Sequence, residues 1–315
     1  MENDTLTAGG FSAAWARFAD SDLVWSFRHS PAAVLSFVIA VLIAVLALGA
    51  PVFSAQNPFD LAAIDIADAS LPPVWQEGGS PNYMLGTDDQ GRDLWSAMLY
   101  GLRLSLVIGL LSVALSIAFG VTLGLVSGFA GGWIDTFLMR VCDVMLSFPA
   151  ILVALMTDGI LRAALPSESI DGLAYFVLIF SITLSGWVKY ARTVRGLTMV
   201  EKEKEYVLAA RVVGANRLAL MFKHILPNVL GPVFVLGTVH VAMAVMTEAT
   251  LSFLGVGVPP TTPSLGTLIR IGNDYLFSGE WWMTIFPGAV LIMLVVSVNL
   301  LGDWLRDALN SRLQQ

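Results

Sequence analysis

The sequence carries little charge. Asp, Glu, Lys and Arg make up 13% of its 315 residues, about half the share found in a typical soluble domain. Apolar residues make up 56%, and the mean hydropathy is +0.75. A water-soluble fold of this size could not cover so much apolar surface, whereas the hydrocarbon core of a bilayer accepts it. The scarcity of charge therefore excludes an ordinary soluble domain and predicts a membrane protein.

The chain also has few of the residues that build metal, redox or nucleotide sites. Its one cysteine, Cys142, excludes an internal disulfide or a thiolate cluster. The three histidines have no ligand-like spacing, so we expect no metal site. No Gly-Lys pair occurs, which excludes a P-loop, and this chain cannot hydrolyse ATP itself. No long basic stretch is present, so nucleic acid is not an expected partner, and a nucleophile–base constellation for a membrane-embedded hydrolase is missing.

Long apolar runs supply the membrane-spanning elements. The first run, 32–53, is long enough to cross about 30 Å of hydrocarbon, and the polar residues before it argue against a cleavable signal peptide. Five more runs follow, at 102–129, 134–161, 173–198, 229–254 and 283–304. Because backbone groups in a bilayer must be satisfied within the segment, each run is predicted to be one helix. The sequence predicts an all-α, polytopic membrane protein with about six transmembrane helices.

The distribution of Lys and Arg predicts the direction of threading. With the N-terminus in the cytoplasm, 13 basic residues, Arg17 among them, fall inside and 4 fall outside. This arrangement makes 1–31 and 305–315 cytoplasmic tails, 54–101 an external loop and 102–304 a five-helix core. Seven acidic residues lie in the external loop, which places the acidity of the chain on its outer surface.

Two further connections are unusual. The external stretch 255–282 contains Pro259, Pro260 and Pro263 and cannot be one continuous helix. The cytoplasmic stretch 199–228 is polar, yet it has helical periodicity and is much longer than a simple connection needs.

The cytoplasmic stretch is predicted to form two short amphipathic helices. The first has an apolar face made of Tyr206, Ala209, Ala210 and Val213. Gly214 fits the turn that follows, because glycine adopts a left-handed backbone without a Cβ penalty. Asn216 can cap the second helix, which Pro227 ends before the next span. The apolar stripe of the second helix consists of Leu218, Met221, Phe222 and Ile225. From this pattern alone, the stretch either docks on a partner or lies against the membrane and the protein's own helices.

This stretch resembles the EAA coupling motif of permease subunits in binding-protein-dependent ABC importers, in the form of the dipeptide, oligopeptide and nickel branch. The matching residues are Glu205, Ala209, Ala210, Gly214, Leu226 and Pro227. Leu208 stands where the general motif has its Glu, and Glu205 lies one turn earlier. Segments 85–93, 131–149, 248–266 and 299–307 also resemble this branch, so the likeness covers 31–312 and fits the second permease of the pair.

The resemblance implies a type I ABC importer permease fold in a bacterial inner membrane. A second homologous permease would complete the path for a peptide, and a solute-binding protein would deliver it from outside. Two separate ATPase subunits would bind ATP and Mg. One of them would bind the cytoplasmic stretch of this chain, where Glu205 would anchor the stretch and Gly214 would allow its turn. Nickel, glutathione or another small solute is the alternative cargo. An ion-coupled secondary transporter is the competing class, but the internal repeats typical of that class are missing.

Polar residues within the spans need partners. Asp143 is expected to form a structural pair with Arg140 or Lys189, and His240 to form a hydrogen bond between helices. Glu248 either faces the outer vestibule or pairs with Arg270; the sequence leaves both open. A row of small residues in the second span is expected to pack within the subunit, with the partner permease as the alternative. The row consists of Ser112, Ser116, Gly120, Gly124 and Gly128.

Overall fold

A computed structural model describes residues 22–60, 62, 64–164, 170–259, 261–262 and 264–313. These residues form helices and connecting segments, and the pairing of Thr87 with Asp93 is an isolated bridge. The helices are α1 (Asp22–Arg28), α2 (Pro31–Leu48), α3 (Ala50–Phe53), α4 (Leu94–Ala130), α5 (Gly132–Leu146), α6 (Ala150–Ala164), α7 (Ile170–Glu201), α8 (Glu205–Val212), α9 (Arg217–Ala219), α10 (Leu226–Phe253), α11 (Leu265–Tyr275) and α12 (Trp282–Leu313). Arg17, Pro260 and Pro263 lie outside the described residues.

Among the described residues, five helical stretches are long and apolar enough to cross a membrane. They are α2, α4, most of α7, the stretch from α9 through α10, and most of α12. The sixth predicted span, 134–161, is not one straight helix. It is the pair α5 and α6, bent by 94° around a short break at Ser147, Phe148 and Pro149. Pro149 explains the break, since a proline disfavours helical backbone at the residue before it. The prediction of an all-α protein with about six spans is confirmed, with one span broken.

The centre of the bundle is the packing of α4 against α7. A Cβ added at Gly124 would lie 2.5 Å from the Ala191 carbonyl oxygen, so the two backbones approach as closely as only glycine permits. Further along, the hydroxyl of Thr183 donates to the Ser112 carbonyl oxygen at 3.3 Å, and the Ser116 hydroxyl donates to the Thr183 carbonyl oxygen at 3.3 Å. The predicted row of small residues therefore packs within this chain.

The two ends of the bundle are distinguished by α4. This helix begins directly after the segment 54–93, and its last turn reaches Lys202, whose Nζ donates to the Gly128 carbonyl oxygen at 2.9 Å. The segment 54–93 therefore lies at one end, which we call the far end. The stretch that follows α7 lies at the other.

Buried charged side chains hold the segment 54–93 against the bundle. Asp88 and Arg92 form an ion pair at 2.5 Å, and both side chains are 1% exposed. Asp93 caps α4 by accepting from the backbone N–H of Ser96 at 2.9 Å. The Trp282 indole donates to the Thr87 carbonyl oxygen at 3.2 Å and ties the segment to α12. Two of the seven acids expected on the outer surface, Asp88 and Asp93, are therefore buried. Their hydrogen bonds hold the segment in place.

Candidate coupling site

The residues after α7 form an elbow of two helical arms, which we define as residues 205–225. The first arm is α8, which ends at Val212 with Val213 as its C-cap, and Gly214 follows with a φ of +96°. Asn216 then caps the second arm, its side chain accepting from the backbone N–H of Ala219 at 2.7 Å. Both sequence predictions for this turn, the left-handed glycine and the asparagine cap, are confirmed.

The second arm continues into a membrane span. After α9 the chain forms a π-helix, Leu220–Ile225, which leads directly into α10. Pro227 is the second residue of α10, which directly follows the π-helix. Pro227 was expected to end a separate short helix. Instead, Leu226 and Pro227 begin the span, and the arm and α10 form one uninterrupted helical run.

One side of the elbow is fixed to the bundle. Val207, Leu220 and Ile225 are buried in a cluster that also contains residues of α4, α7 and α10. The predicted apolar face of α8 is shifted, because Val207 and the half-buried Ala210 face the bundle, whereas Val213 does not. The sequence periodicity predicted one apolar face of α8, but a different face of the helix packs against the bundle. This burial anchors one side of the elbow to α4, α7 and α10.

The other side of the elbow leaves apolar side chains uncovered. Val212 and Val213 at the turn are each 88% exposed, and on the second arm Leu218 is 65% and Phe222 54% exposed. We call these four residues the exposed patch. Glu205 and Ala209 are exposed beside it. Glu205 is the first residue of α8, where a carboxylate interacts favourably with the helix dipole. Gly214 and Pro227 are exposed as well, so four of the six predicted coupling residues are accessible to another molecule. Ala210 and Leu226 are half-buried against the bundle instead.

A hydrogen-bond network that the sequence analysis missed joins the elbow to two spans. The Tyr206 hydroxyl donates to Glu201 at the end of α7 and accepts from the Asn228 side chain at 2.9 Å. Asn228 also donates to the His224 carbonyl oxygen at 2.7 Å. Desolvation, together with the hydrogen bond to Glu201, raises the pKa of Tyr206 to about 12. The first arm is therefore linked to both α7 and α10, so a displacement of the elbow is passed to both.

Charged pairs hold the helices together near the elbow. Arg195 of α7 binds Asp135 of α5 with two hydrogen bonds, of 2.5 and 2.6 Å, and the Ser127 hydroxyl donates to the same carboxylate at 2.5 Å. This pairing was not predicted, because sixty positions separate the two charged residues and only the folded chain brings them together.

The expected partners of Asp143 are partly confirmed. Arg140 lies 3.8 Å from its carboxylate, but the direct partner is Arg192 of α7. Lys189 is exposed and, within the described residues, forms no ion pair with Asp143. Lys189 lies three residues before Arg192, almost one helical turn away, so the correct helix was predicted with the wrong residue.

Both expectations for Glu248 are wrong. Its side chain is fully buried, and it accepts hydrogen bonds from Ser105 at 2.6 Å and Ser252 at 2.8 Å. It neither faces an outer vestibule nor pairs with Arg270, because α4 packs over this face of α10. The prediction for His240 is confirmed, since its Nδ1 lies 2.8 Å from the Tyr190 hydroxyl and joins α10 to α7.

A second buried ion pair, which the sequence analysis also missed, lies at the far end. Asp158 and Arg162 of α6 form an ion pair at 2.6 Å, with Asp158 fully buried. Arg162 also donates from Nη2 to the carbonyl oxygens of Val256 and Gly257 at 3.1 and 2.6 Å. Spacing of four residues on a helix signals such a pair. The contact with the loop after α10 is visible only in the fold.

Comparison with known families agrees with this architecture. Residues 120–315 match the family model described as "Binding-protein-dependent transport system inner membrane component". Residues 21–73 match the model described as "N-terminal TM domain of oligopeptide transport permease C". The chain therefore belongs to the binding-protein-dependent transport permeases and is a multi-pass inner-membrane protein.

Individual relatives cover almost the whole chain. It is 39% identical over 289 residues to the dipeptide transport system permease protein DppC of Haemophilus influenzae, covering 92% of this chain and 93% of that protein. It is 40% identical over 290 residues to the DppC of Escherichia coli K12, with 92% of each chain covered. It is 36% identical over 294 residues to the oligopeptide transport system permease protein OppC of Bacillus subtilis, covering 93% and 90%.

Proposed function

We propose that this chain is a permease subunit of an ATP-driven importer of di- or oligopeptides, and that the elbow couples it to a separate ATPase. One observation carries the proposal: the elbow is packed against the spans on one side, and on the other it presents apolar side chains that nothing in the described chain covers. Exposed apolar surface of this kind marks a contact with another protein or with the membrane, and an ATPase is the occupant that we propose. The relatives that cover nine-tenths of the chain are named as dipeptide and oligopeptide transport permeases.

The partners follow from what the chain lacks. It has no P-loop, so ATP and Mg would be bound by two ATPase subunits, one of which would contact the exposed patch of this chain. A second, homologous permease would complete the path, and a solute-binding protein would deliver the peptide at the far end. The basic residues support this direction, because 13 of 17 fall on the side of the elbow when both termini are cytoplasmic.

Co-purification and reconstituted transport test the proposal together. The full-length chain, affinity-tagged in its native cells, should bring down an ATPase, a second permease and a solute-binding protein. Proteoliposomes containing this complex should take up radiolabelled dialanine only when ATP is supplied on the ATPase side. Uptake that needs no ATP and no co-purified ATPase would favour an ion-coupled transporter. ATP-dependent uptake of nickel or glutathione, but of no peptide, would reject the peptide as cargo and leave the ATP-driven importer standing.

A matched pair of variants tests the role of the exposed patch. Val212→Asp places a charge in the patch and should abolish co-purification of the ATPase while the chain remains in the membrane. Ile66→Asp is the control, since Ile66 is a branched apolar side chain, 79% exposed, in the segment at the far end. The control should retain the ATPase. Equal retention in both variants would show that the patch contacts no ATPase.

A further inference from the structure

A cavity of about 420 Å³ lies at the far end of the bundle. The segment 54–93 contributes Asp89 and Gln90, the loop after α10 contributes Gly255 and Gly257, and Arg162 comes from α6. Helix α11 supplies Thr267, Arg270 and Asp274. Four separate parts of the chain thus meet around one space, which has the volume of an ordinary small-molecule site.

The acidic side of the cavity is incompletely satisfied. The Oδ1 atom of Asp89 is buried and has no hydrogen-bond partner in the described chain. Burial and the neighbouring Asp88 raise the pKa of Asp89, because both oppose its charged form. This oxygen has almost no accessible surface, even toward the cavity, so a rotation of the Asp89 side chain is what would bring it to a cationic donor there. That pairing would remove the cost of a buried acceptor without a donor. Asp274 adds a second carboxylate to the lining.

The basic side is also available. Arg270 forms no ion pair within the described residues, although Asp274 lies one turn further along the same helix. A Cβ on Gly255 would come within 2.3 Å of the Arg270 Nη1, and Gly255 has a φ of +82°. The positive φ favours glycine at this position, and a side chain there would displace the exposed Arg270 guanidinium from its place beside the loop. Arg162, by contrast, is committed to Asp158 and to two carbonyl oxygens.

This distribution of charge selects the class of ligand. The carboxylates of Asp89 and Asp274 disfavour a simple anion, and the guanidinium of Arg270 disfavours a simple cation. A molecule with an ammonium group at one end and a carboxylate at the other satisfies both sides. A sphere of the cavity's volume is about 9 Å across, and an extended chain of two residues spans roughly 7 Å.

We propose that this cavity is a binding site for the two charged ends of a short peptide, with the α-ammonium group at Asp89 and the α-carboxylate at Arg270. The proposal rests on the proposed function, since it assumes that peptides reach the far end of this permease. It assigns to the permease itself a contact with the charged termini, before the peptide enters the path between the subunits.

Binding of radiolabelled dialanine to the purified permease–ATPase complex, without its solute-binding protein, tests the proposal directly. Unlabelled dialanine should displace the label, whereas N-acetyl-dialanine amide, which lacks both charges, should not. Asp89→Asn and Arg270→Gln should each weaken binding at least about tenfold, the factor expected for one charge-assisted hydrogen bond. Glu77→Gln is the control, because Glu77 is an exposed carboxylate in the same segment that does not line the cavity.

Folding defects are separated from loss of the site by a second variant. Arg270→Lys keeps the positive charge and should retain more binding than Arg270→Gln, with equal recovery of the assembled complex. The proposal is overturned if the neutral analogue competes as well as dialanine, or if the variants bind like the wild-type complex while it imports dialanine. It is also overturned if the variants impair only capture of the solute-binding protein, which would make the cavity a protein socket. If the wild-type complex imports no peptide at all, the proposed function itself fails.

Discussion

The turn of the elbow allows a sharp test. At Gly214 the effect of backbone conformation can be measured without any change in side-chain contacts. Gly214 has a φ of +96°, and an added Cβ would meet no atom within 4 Å. A side chain there causes no clash and removes no contact, so the whole cost is that of left-handed backbone. For a residue other than glycine this is about 1–2 kcal/mol, and a β-branched residue lies at the upper end.

Gly214→Val should therefore leave the chain folded in the membrane but shift the turn away from its native geometry. A cost of 1–2 kcal/mol corresponds to a factor of about 5–30 in the population of the native turn. Because Val212 and Val213 lie directly before the turn, the exposed patch loses its arrangement in the same proportion. Recovery of the ATPase with the tagged chain and ATP-driven uptake of dialanine should both fall strongly.

The matched control is Gly196→Val, which adds the same atoms at another open position. Gly196 lies inside α7 with ordinary helical backbone, and its added Cβ would also meet nothing within 4 Å. Its recovery of the ATPase and its uptake should stay near those of the parent chain. The reasoning is refuted if Gly214→Val keeps full ATPase recovery and uptake, or if Gly196→Val loses as much.

Two further variants test the packing of the bundle and the mounting of the elbow. Gly124→Leu should destabilise the protein by about 1–3 kcal/mol, measured by unfolding in detergent, because its Cβ would lie 2.5 Å from the Ala191 carbonyl oxygen. Gly159→Leu, at an open position, should cost much less, and equal losses would contradict the packing account. Tyr206→Phe should cost about 1 kcal/mol, since Asn228 keeps its second hydrogen bond, and amide exchange within 205–225 should accelerate about fivefold. Unchanged exchange would show that the hydroxyl does not hold the elbow.

The sequence predicted the spans well, because a bilayer requires long apolar segments and hydropathy measures that property directly. Averaging over a window conceals a local break, however, so the bend before Pro149 was missed although the proline was visible. The packing of the small residues of α4 was predicted correctly. A repeat of four places them on one face, and such a face lets another helix backbone approach closely.

The turn of the elbow was predictable because it depends on short-range sequence signals. The glycine turn and the asparagine cap depend on residues within a few positions of each other. The network around Tyr206 and the pair of Asp135 with Arg195 join residues from separate helices, and no local rule connects them. Glu248 was misplaced because a sequence shows that an acid lies in a span, but not which helix covers it.

The unbroken run from α9 into α10 acts as a lever. At 1.5 Å per residue, its 37 residues extend roughly 55 Å, and Arg217 and Phe253 are its two ends. If the run tilts as a rod by about 5°, its tip moves by roughly 5 Å relative to its base. The loop that leaves that tip forms part of the cavity wall and is gripped by Arg162. One continuous helical run therefore connects the turn of the elbow to a wall of the cavity at the opposite end of the bundle.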